Sequence, residues 1–427
     1  MRFTKKQMHD VVVIGGGAAG MLASAVAAEH GHSVLLLEKN DRLGQKLRIT
    51  GKGRCNLTNN CSVREAVDNI PTGGRFLMSA LSGFTPKDTI TLFEKLGVPL
   101  KTERGGRVFP VSDKAADVVS ALRRYIDRAG VAVVKDTAKS ICVKDGHVDA
   151  VRGAESTFNC QTAVLCTGGV SYPLTGSTGD GYGIASALDH TVIPPKPSLV
   201  PLIASPDICS RMQGLSLKNI RLTVTDAAGT AGTDHASKKK PVFEDFGELL
   251  FTHFGVSGPL VLSASAHMRN FQKSKYELII DLKPALDEKK LDARLLRDFE
   301  KYSNRDFSNA LGDLASKMMI PVLVDLSVIP PDTKVHSITR EQRGRLLRLF
   351  KGFKLEVHGP RPIDEAIITS GGVDTREINP TTMESRRVKG LYFAGEVIDT
   401  DAYTGGFNLQ IAWSTAYAAG SHIQLNA

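Results

Sequence analysis

A chain of 427 residues is too long for one ordinary compact core, so two or three packed domains are expected. Hydrophobic residues make up 42% of it and charged residues 23%, which excludes a disordered chain. The formal net charge of +9 suits anionic ligands such as dinucleotides or acidic substrates, and also permits nucleic-acid contact.

Asp10 to Ile14 is short, apolar and β-branched, the composition of a central parallel strand covered on both faces. Ala18 to His30 is rich in Ala and Leu and stops at Gly31, as a helix does. Ser33 to Leu37 is a second strand, ending at Glu38. Gly15-x-Gly17-x-x-Gly20 therefore occupies the first turn of a βαβ unit. Gly15 permits the tight turn, Gly17 lets the backbone approach a pyrophosphate, and Gly20 lets the helix lie close to the strand. Ala18 and Ala19 open the helix, whose free N–H groups and positive end face that phosphate. Glu38 stands where an acid binds adenosine ribose hydroxyls, with Lys39 beside it.

The next stretch separates FAD from NAD. Lys46, Arg48, Lys52 and Arg54 sit in a glycine-rich loop with Gly51, Gly53, Cys55 and Asn56, suited to wrapping the diphosphate and ribityl chain of an extended flavin dinucleotide. Ala163 to Cys166 is a buried strand running into Thr167, Gly168 and Gly169. Leu391 to Ala394 is another, ending in Gly395 and Glu396. Gly405 and Gly406 precede Phe407, Asn408 and Leu409, then a helix over 411–420. A positive helix end there suits the charge that develops on the pyrimidine edge of a reduced flavin.

No second strand–GxGxxG–helix unit appears, and Gly176 to Gly181 lacks the flanking frame of one. NADH or NADPH is therefore expected as a transient donor without a domain of its own. The six cysteines form no CxxC pair and no zinc-spaced Cys/His cluster, so reduced thiols and no metal are expected. Val11 to Ala28 is apolar but interrupted by glycines, and no cleavable signal peptide is evident. A cytoplasmic protein is expected. Lys238-Lys239-Lys240 is the one compact basic run and reads as a solvated loop, so a small-molecule substrate is expected, with no nucleic acid and no membrane.

GGGAAG at 15–20, LGQKLRITGKGRCNLTN at 43–59 and GGRVFPVSDKAADVV at 105–119 resemble one family, as do GGVSYPLTGSTGDGYGIA at 168–185 and LLFTHFGVSGP at 249–259. SGGVDTREINPTTMES at 370–385 and LYFAGEVIDTDAYTGGFNLQIAWSTAYAAG at 391–420 complete the series, which spans nearly the whole chain in order. The chain is similar to the BaiN/RdsA-type NAD(P)/FAD-dependent oxidoreductases, which include an aminoacetone oxidase and a proposed bile-acid reductase. Ala402 and Phe407 depart from the Gly and Tyr expected there.

The resemblance implies an α/β fold with a glutathione-reductase-type FAD domain built from both chain ends, 1–192 and 361–427. Ile193 to Pro197 and His358 to Pro362 are the expected crossings into and out of an insert over 193–360. Alternating strands at 217–224 and 276–282 and helices at 287–302 and 340–350 make that insert a small β-barrel with a helical cap, expected to cover the flavin. Candidate catalytic residues are Tyr172 as proton donor, Arg107 as a carboxylate or carbonyl partner, and His253 and Tyr403. The expected activity is FAD-dependent, NAD(P)H-driven reduction of an activated C=C bond in an enone such as an oxo-steroid or bile acid. One alternative is an FAD-dependent amine oxidase using O₂ on a small amine such as aminoacetone. Another is an RNA- or partner-binding flavoprotein, which the net charge keeps open.

Overall fold

The structure is a computed structural model describing residues 8–226 and 240–425; Lys238 and Lys239 of the basic run lie outside the described residues. It divides into two compact units, 1–198 with 362–427, and 199–361.

The first unit begins with β1 (His9–Ile14), α1 (Ala18–Glu29) and β2 (Val34–Glu38), where Val11 pairs with Val34 in parallel register. The three run as the apolar pattern requires: β1 is buried over Val11–Ile14, and α1 is apolar nearly all round and buried accordingly. After β2 the chain forms α2 (Gln45–Ile49) and a left-handed stretch in which Gly51, Lys52, Gly53 and Cys55 all have positive φ. Lys46 and Arg48 thus sit on a short helix instead of the expected loop, because Gly44 adopts φ +68 and restarts helical geometry at once. There follow β3 (Thr58–Asn59), α3 (Val63–Asp68), α4 (Gly74–Gly83), α5 (Pro86–Lys95), β4 (Leu100–Thr102) and β5 (Arg107–Pro110), with the three strands in one small antiparallel sheet.

Next come α6 (Ala115–Arg128), β6 (Ala132–Lys135), β7 (Ala138–Lys144), β8 (His147–Gly153), β9 (Thr157–Leu165), α7 (Asp180–Ser186) and β10 (Val192–Ser198). The main sheet runs β6-β2-β1-β9-β8-β7. Along this path the parallel pairs are β6–β2, β2–β1 and β1–β9, a crossover order that one continuous hydrophobic cluster covers.

The second unit holds β11 (Leu202–Ala204), α8 (Pro206–Ser210), β12 (Ser216–Asp226), β13 (Phe243–Thr252), β14 (Gly255–Ser257) and α9 (Pro259–Ser265). It continues with β15 (Tyr276–Asp281), α10 (Glu288–Lys301), α11 (Ile320–Ser327), α12 (Arg340–Lys351) and β16 (Phe353–Pro360). Its six strands close into a barrel, β11-β14-β13-β12-β15-β16, so a barrel with helices stands where alternation pointed to one. Leu222, Val224, Leu278, Ile280, Phe353 and Leu355 face its core.

The chain then adds β17 (Ile368–Val373), β18 (Leu391–Phe393) and α13 (Phe407–Ser421) to the first unit. β17 pairs with β10, so Ile193 to Pro197 belongs to a strand of the first unit. β18 pairs in parallel with β9, Leu391 opposite Ala163. α13 packs on α1 through small residues: a Cβ added at Gly420 would meet Ala23 O at 2.8 Å. Trp413 is fully buried, donates from its indole Nε1 to Leu57 O at 2.9 Å, and meets Phe93 edge-on. No helix among the described residues is long and apolar enough to cross a membrane.

Candidate active site

The parallel strands β1, β2, β9 and β18 end in the segments that carry the candidate cofactor residues. Gly15 to Gly17 follows β1, Glu38 closes β2, Thr167 and Gly168 follow β9, and Gly395 and Glu396 follow β18. Ligands of open α/β sheets bind outside these carboxyl ends.

The three fingerprint glycines differ in what demands them. Gly15 turns with φ +102, and a Cβ there would press on Cys166 O at 2.6 Å. A Cβ at Gly20 would collide with Gly15 O. Both are required by the protein's own packing. Gly17 caps α1 with φ −79, and a Cβ there would meet nothing within 4 Å. Gly17 thus keeps open a space in front of the helix N-terminus that the protein does not fill, where a pyrophosphate fits. Gly53 and Gly105 face similar space, with at most one atom at 4.0 Å. Two buried polar atoms beside these segments, Asn56 Oδ1 and Thr167 Oγ1, have no hydrogen-bond partner. Orphaned groups of this kind fit a ligand rich in phosphate, hydroxyl and heterocyclic nitrogen. On both counts the residues present fit FAD.

Glu38 accepts from Gly16 N at 2.7 Å and from Asn40 N and Nδ2 at 2.8 Å, which fixes the carboxylate at the end of β2. Lys39 is committed elsewhere, donating to Thr178 Oγ1 and Asp180 Oδ2. Arg54, on the left-handed stretch, pairs with Glu103 and donates from Nε to Asp113 Oδ1 at 2.8 Å; its guanidinium lies over the Phe109 ring. Its hydrogen bond holds the Glu103 carboxyl below the usual carboxylate range, and bonds from Lys101 and Arg54 do the same for Asp113. Lys39 and Arg54 thus order the loops as partners of carboxylates. Cys55 is wholly buried and burial pushes its thiol up to about 12, which keeps it neutral.

Lys46 and Glu396 form the centre of a polar cluster. Lys46 Nζ lies 2.6 Å from Glu396 Oε2 and donates to Ser171 Oγ at 2.6 Å. Glu396 Oε1 accepts from Thr369 N at 2.8 Å and from Ser171 Oγ at 3.2 Å. Thr369 Oγ1 in turn accepts from Val170 N and Ser171 N. Tyr172 belongs to this cluster: Lys46 Nζ stands 5.9 Å from its ring centroid, and its backbone is left-handed at φ 53. Burial raises its phenol above the ordinary value, so it remains a proton carrier at neutral pH. Ser171 and Thr369 went unnoticed in sequence because no local pattern links them to Glu396; Thr369 merely precedes the Ser370-Gly371-Gly372 run.

At the start of α13, Asn59 Nδ2 donates to Gly105 O at 2.9 Å and Gly405 O at 3.1 Å, drawing the turn before β5 to the helix entry. Gly406 caps α13 with its Cα against the Thr58 backbone. Asn408 spends its amide on Ala402 N and O and on Tyr403 O, and Leu409 is half-buried against the sheet cluster. Tyr403 N donates to Asn69 O. Phe407 packs into a small core with Leu77, Leu81 and Ile411. Arg107 is exposed on β5, with Nη2 3.8 Å from Glu103 and Nε donating to Arg104 O. His253 lies in the second unit, exposed and edge-on to Phe254. The structure therefore brings Tyr172 together with Lys46 and Glu396, while Arg107 serves the Glu103 network. Among the described residues no cluster of His, Cys, Asp or Glu has the form of a metal site.

The HI0933-like protein Rossmann domain family matches residues 9–422. A ribosomal RNA dihydrouridine synthase of Escherichia coli (strain K12) is 31% identical over 417 residues, 98% of each chain. A 3-dehydro-bile acid delta(4,6)-reductase of Clostridium scindens is 30% identical over 420 residues, covering 97% of this chain and 98% of that one. The solved 3-ketosteroid-delta4-(5alpha)-dehydrogenase of Rhodococcus jostii RHA1 shares the fold, with TM-score 0.50 and 14% identity over 98% of both chains. A Rossmann-type site that fits FAD and a match over almost the full length agree: the chain belongs to the HI0933-like family of FAD-dependent oxidoreductases.

Proposed function

We propose that this enzyme saturates a C=C bond conjugated to a carbonyl, and that its substrate is a uracil ring in ribosomal RNA. The observation that carries this reading is the chain-long likeness to two reductases whose names denote the same chemistry on different molecules. Uridine and a 3-oxo-Δ4,6 steroid nucleus both hold a C=C bond polarised by a neighbouring C=O. The basic net charge of +9 favours the polyanionic substrate, in departure from the small-molecule expectation. The enzyme works in the cytoplasm.

When bound, FAD would supply hydride chemistry, with NADH or NADPH as its transient electron source. The C=C bond gains that hydride at one carbon and a proton at the other, and the nicotinamide leaves oxidised. Gly15, Gly17 and the first turn of α1 would hold the pyrophosphate, Glu38 the adenosine ribose, and Asn56 and Thr167 the remaining polar edge. The Tyr172 hydroxyl delivers the proton, and Lys46, anchored by Glu396 and Ser171, stands over its ring and helps to hold it in place.

The test is an anaerobic titration of the yellow holoenzyme with NADH or NADPH, followed by a ribosomal RNA transcript. Return of the oxidised-flavin absorbance with RNA, and formation of dihydrouridine, is the expected result. Return with a 3-oxo-Δ4,6 steroid acid and none with RNA sinks the RNA reading in favour of the second, bile-acid-like substrate, which the Clostridium scindens relative favours. Reoxidation by neither sinks both.

A further inference from the structure

Helix α12 combines two features that its own packing does not explain. Its sequence, REQRGRLLRLFK, carries four arginines and a lysine against one acid, Glu341 in the first turn. Arg343 pairs with Asp292 through Nε at 2.6 Å, and Lys351 pairs with Asp281. Arg340, Arg345 and Arg348 have no carboxylate partner among the described residues, and the buried Nε of Arg345 has no hydrogen-bond partner. Glu341 stands four residues before Arg345, the spacing at which such pairs form, yet among the described residues no ion pair joins them.

The second feature is Gly344. A glycine in the middle of a helix is unfavourable, and one kept there commonly has a packing reason. Here a Cβ would meet just Arg348 Nη1 at 3.6 Å, an ordinary contact, and no other atom within 4 Å. Leu346, Leu347 and Phe350 define the buried face, so Gly344 and Arg348 lie on the outward side with the exposed Glu341, Arg340 stands at its edge, and Arg345 is half-buried beside them. A bare stretch of helix backbone set among three unpaired guanidinium groups admits a phosphodiester chain at close range. We propose that this face of α12 is the docking surface for the sugar–phosphate backbone of the RNA substrate, an inference that rests on the RNA reading above.

Two variants test it, both outside the cofactor residues. The first is Arg340→Gln/Arg345→Gln/Arg348→Gln. It is expected to bind a ribosomal RNA transcript about tenfold more weakly at moderate salt, with the slope of log affinity against log salt reduced by about 2. Bleaching of its flavin by NADH or NADPH stays at the wild-type rate. The second is Gly344→Leu, expected to raise the melting temperature while weakening RNA binding, a combination that a structural role does not produce. Wild-type RNA affinity and salt slope in the triple variant, in an enzyme that still reduces RNA, overturn the surface alone. Binding of the wild-type protein to vesicles rich in phosphatidylserine but not to RNA, lost in the triple variant, overturns it in favour of a membrane. If wild-type enzyme reoxidises with a steroid enone and never with RNA, the RNA reading fails, and this surface with it.

Discussion

Lys46 Nζ and Glu396 Oε2 meet at 2.6 Å across 350 positions of sequence, one on a short helix after β2 and the other at the end of β18. Both side chains are mostly buried, so neither charge is left to water. Lys46→Met is therefore expected to cost about 2 kcal/mol of stability and to lower FAD retention, because it strands the carboxylate. The double variant Lys46→Met/Glu396→Gln should recover most of the stability. Urea melts of the wild type, Lys46→Met, Glu396→Gln and the double variant measure the coupling; simple additivity would mean the pair does not act as one.

Gly17 and Gly20 make opposite demands. Gly17→Val meets open space at an extended N-cap, so the protein should fold with an unchanged melting temperature yet purify colourless. Gly20→Val drives a side chain into the Gly15 carbonyl and should cost at least about 3 kcal/mol or abolish folding. Circular dichroism and flavin absorbance on the same samples separate the two. A yellow Gly17→Val protein would remove the ligand explanation for that glycine.

Tyr172→Phe should leave flavin bleaching by the nicotinamide donor intact and slow reoxidation by the substrate about 10²–10⁴-fold. Burial lifts the phenol above its ordinary pKa near 10, so the reoxidation rate should stay flat from neutral pH to about pH 9. Stopped-flow measurement of the two half-reactions decides this; equal slowing of both would make Tyr172 a structural residue.

Glu377 accepts from Thr191 N at 2.8 Å and pairs with Arg387, whose hydrogen bond is the main reason its carboxyl falls to about 2. A carboxyl depressed in the folded protein stabilises it above the unfolded pKa, near 4.5, and that stability drains away as pH falls toward about 2. Wild-type protein should lose about 2 kcal/mol over that window. Glu377→Gln should start less stable at pH 7 and show a shallower decline below pH 5, as read from melting temperatures across the range. An unchanged acid limb would show that the pair contributes nothing.

The opening βαβ unit and the barrel strands were legible because their signals are local: a β-branched run, glycines at fixed offsets, alternation of apolar and polar residues. Glu38 and Gly17 lie where that pattern put them. Lys46 was legible as a basic residue of the stretch after β2 and illegible as the partner of Glu396, because nothing in either neighbourhood encodes the other. Gly44 hid a helix inside what looked like a loop. The roles of Lys39 and Arg54 turned on Asp180, Glu103 and Asp113, carboxylates brought in by the fold from distant segments.

The pairing of β18 with β9 has a consequence for the order of events during synthesis. Leu391 completes a sheet whose neighbouring strand, Ala163 onward, left the ribosome more than 200 residues earlier. The barrel, made from one uninterrupted segment, has all its strands available while the first unit still lacks an edge and the helix that carries Trp413. Closure of the nucleotide-binding unit is thus a late step governed by long loop closure, and the lone tryptophan becomes a reporter of that moment. A nascent chain halted before residue 391 holds the Gly15–Gly17 turn and Lys46 without the Glu396 that pairs with Lys46, so that ion pair marks the finished molecule.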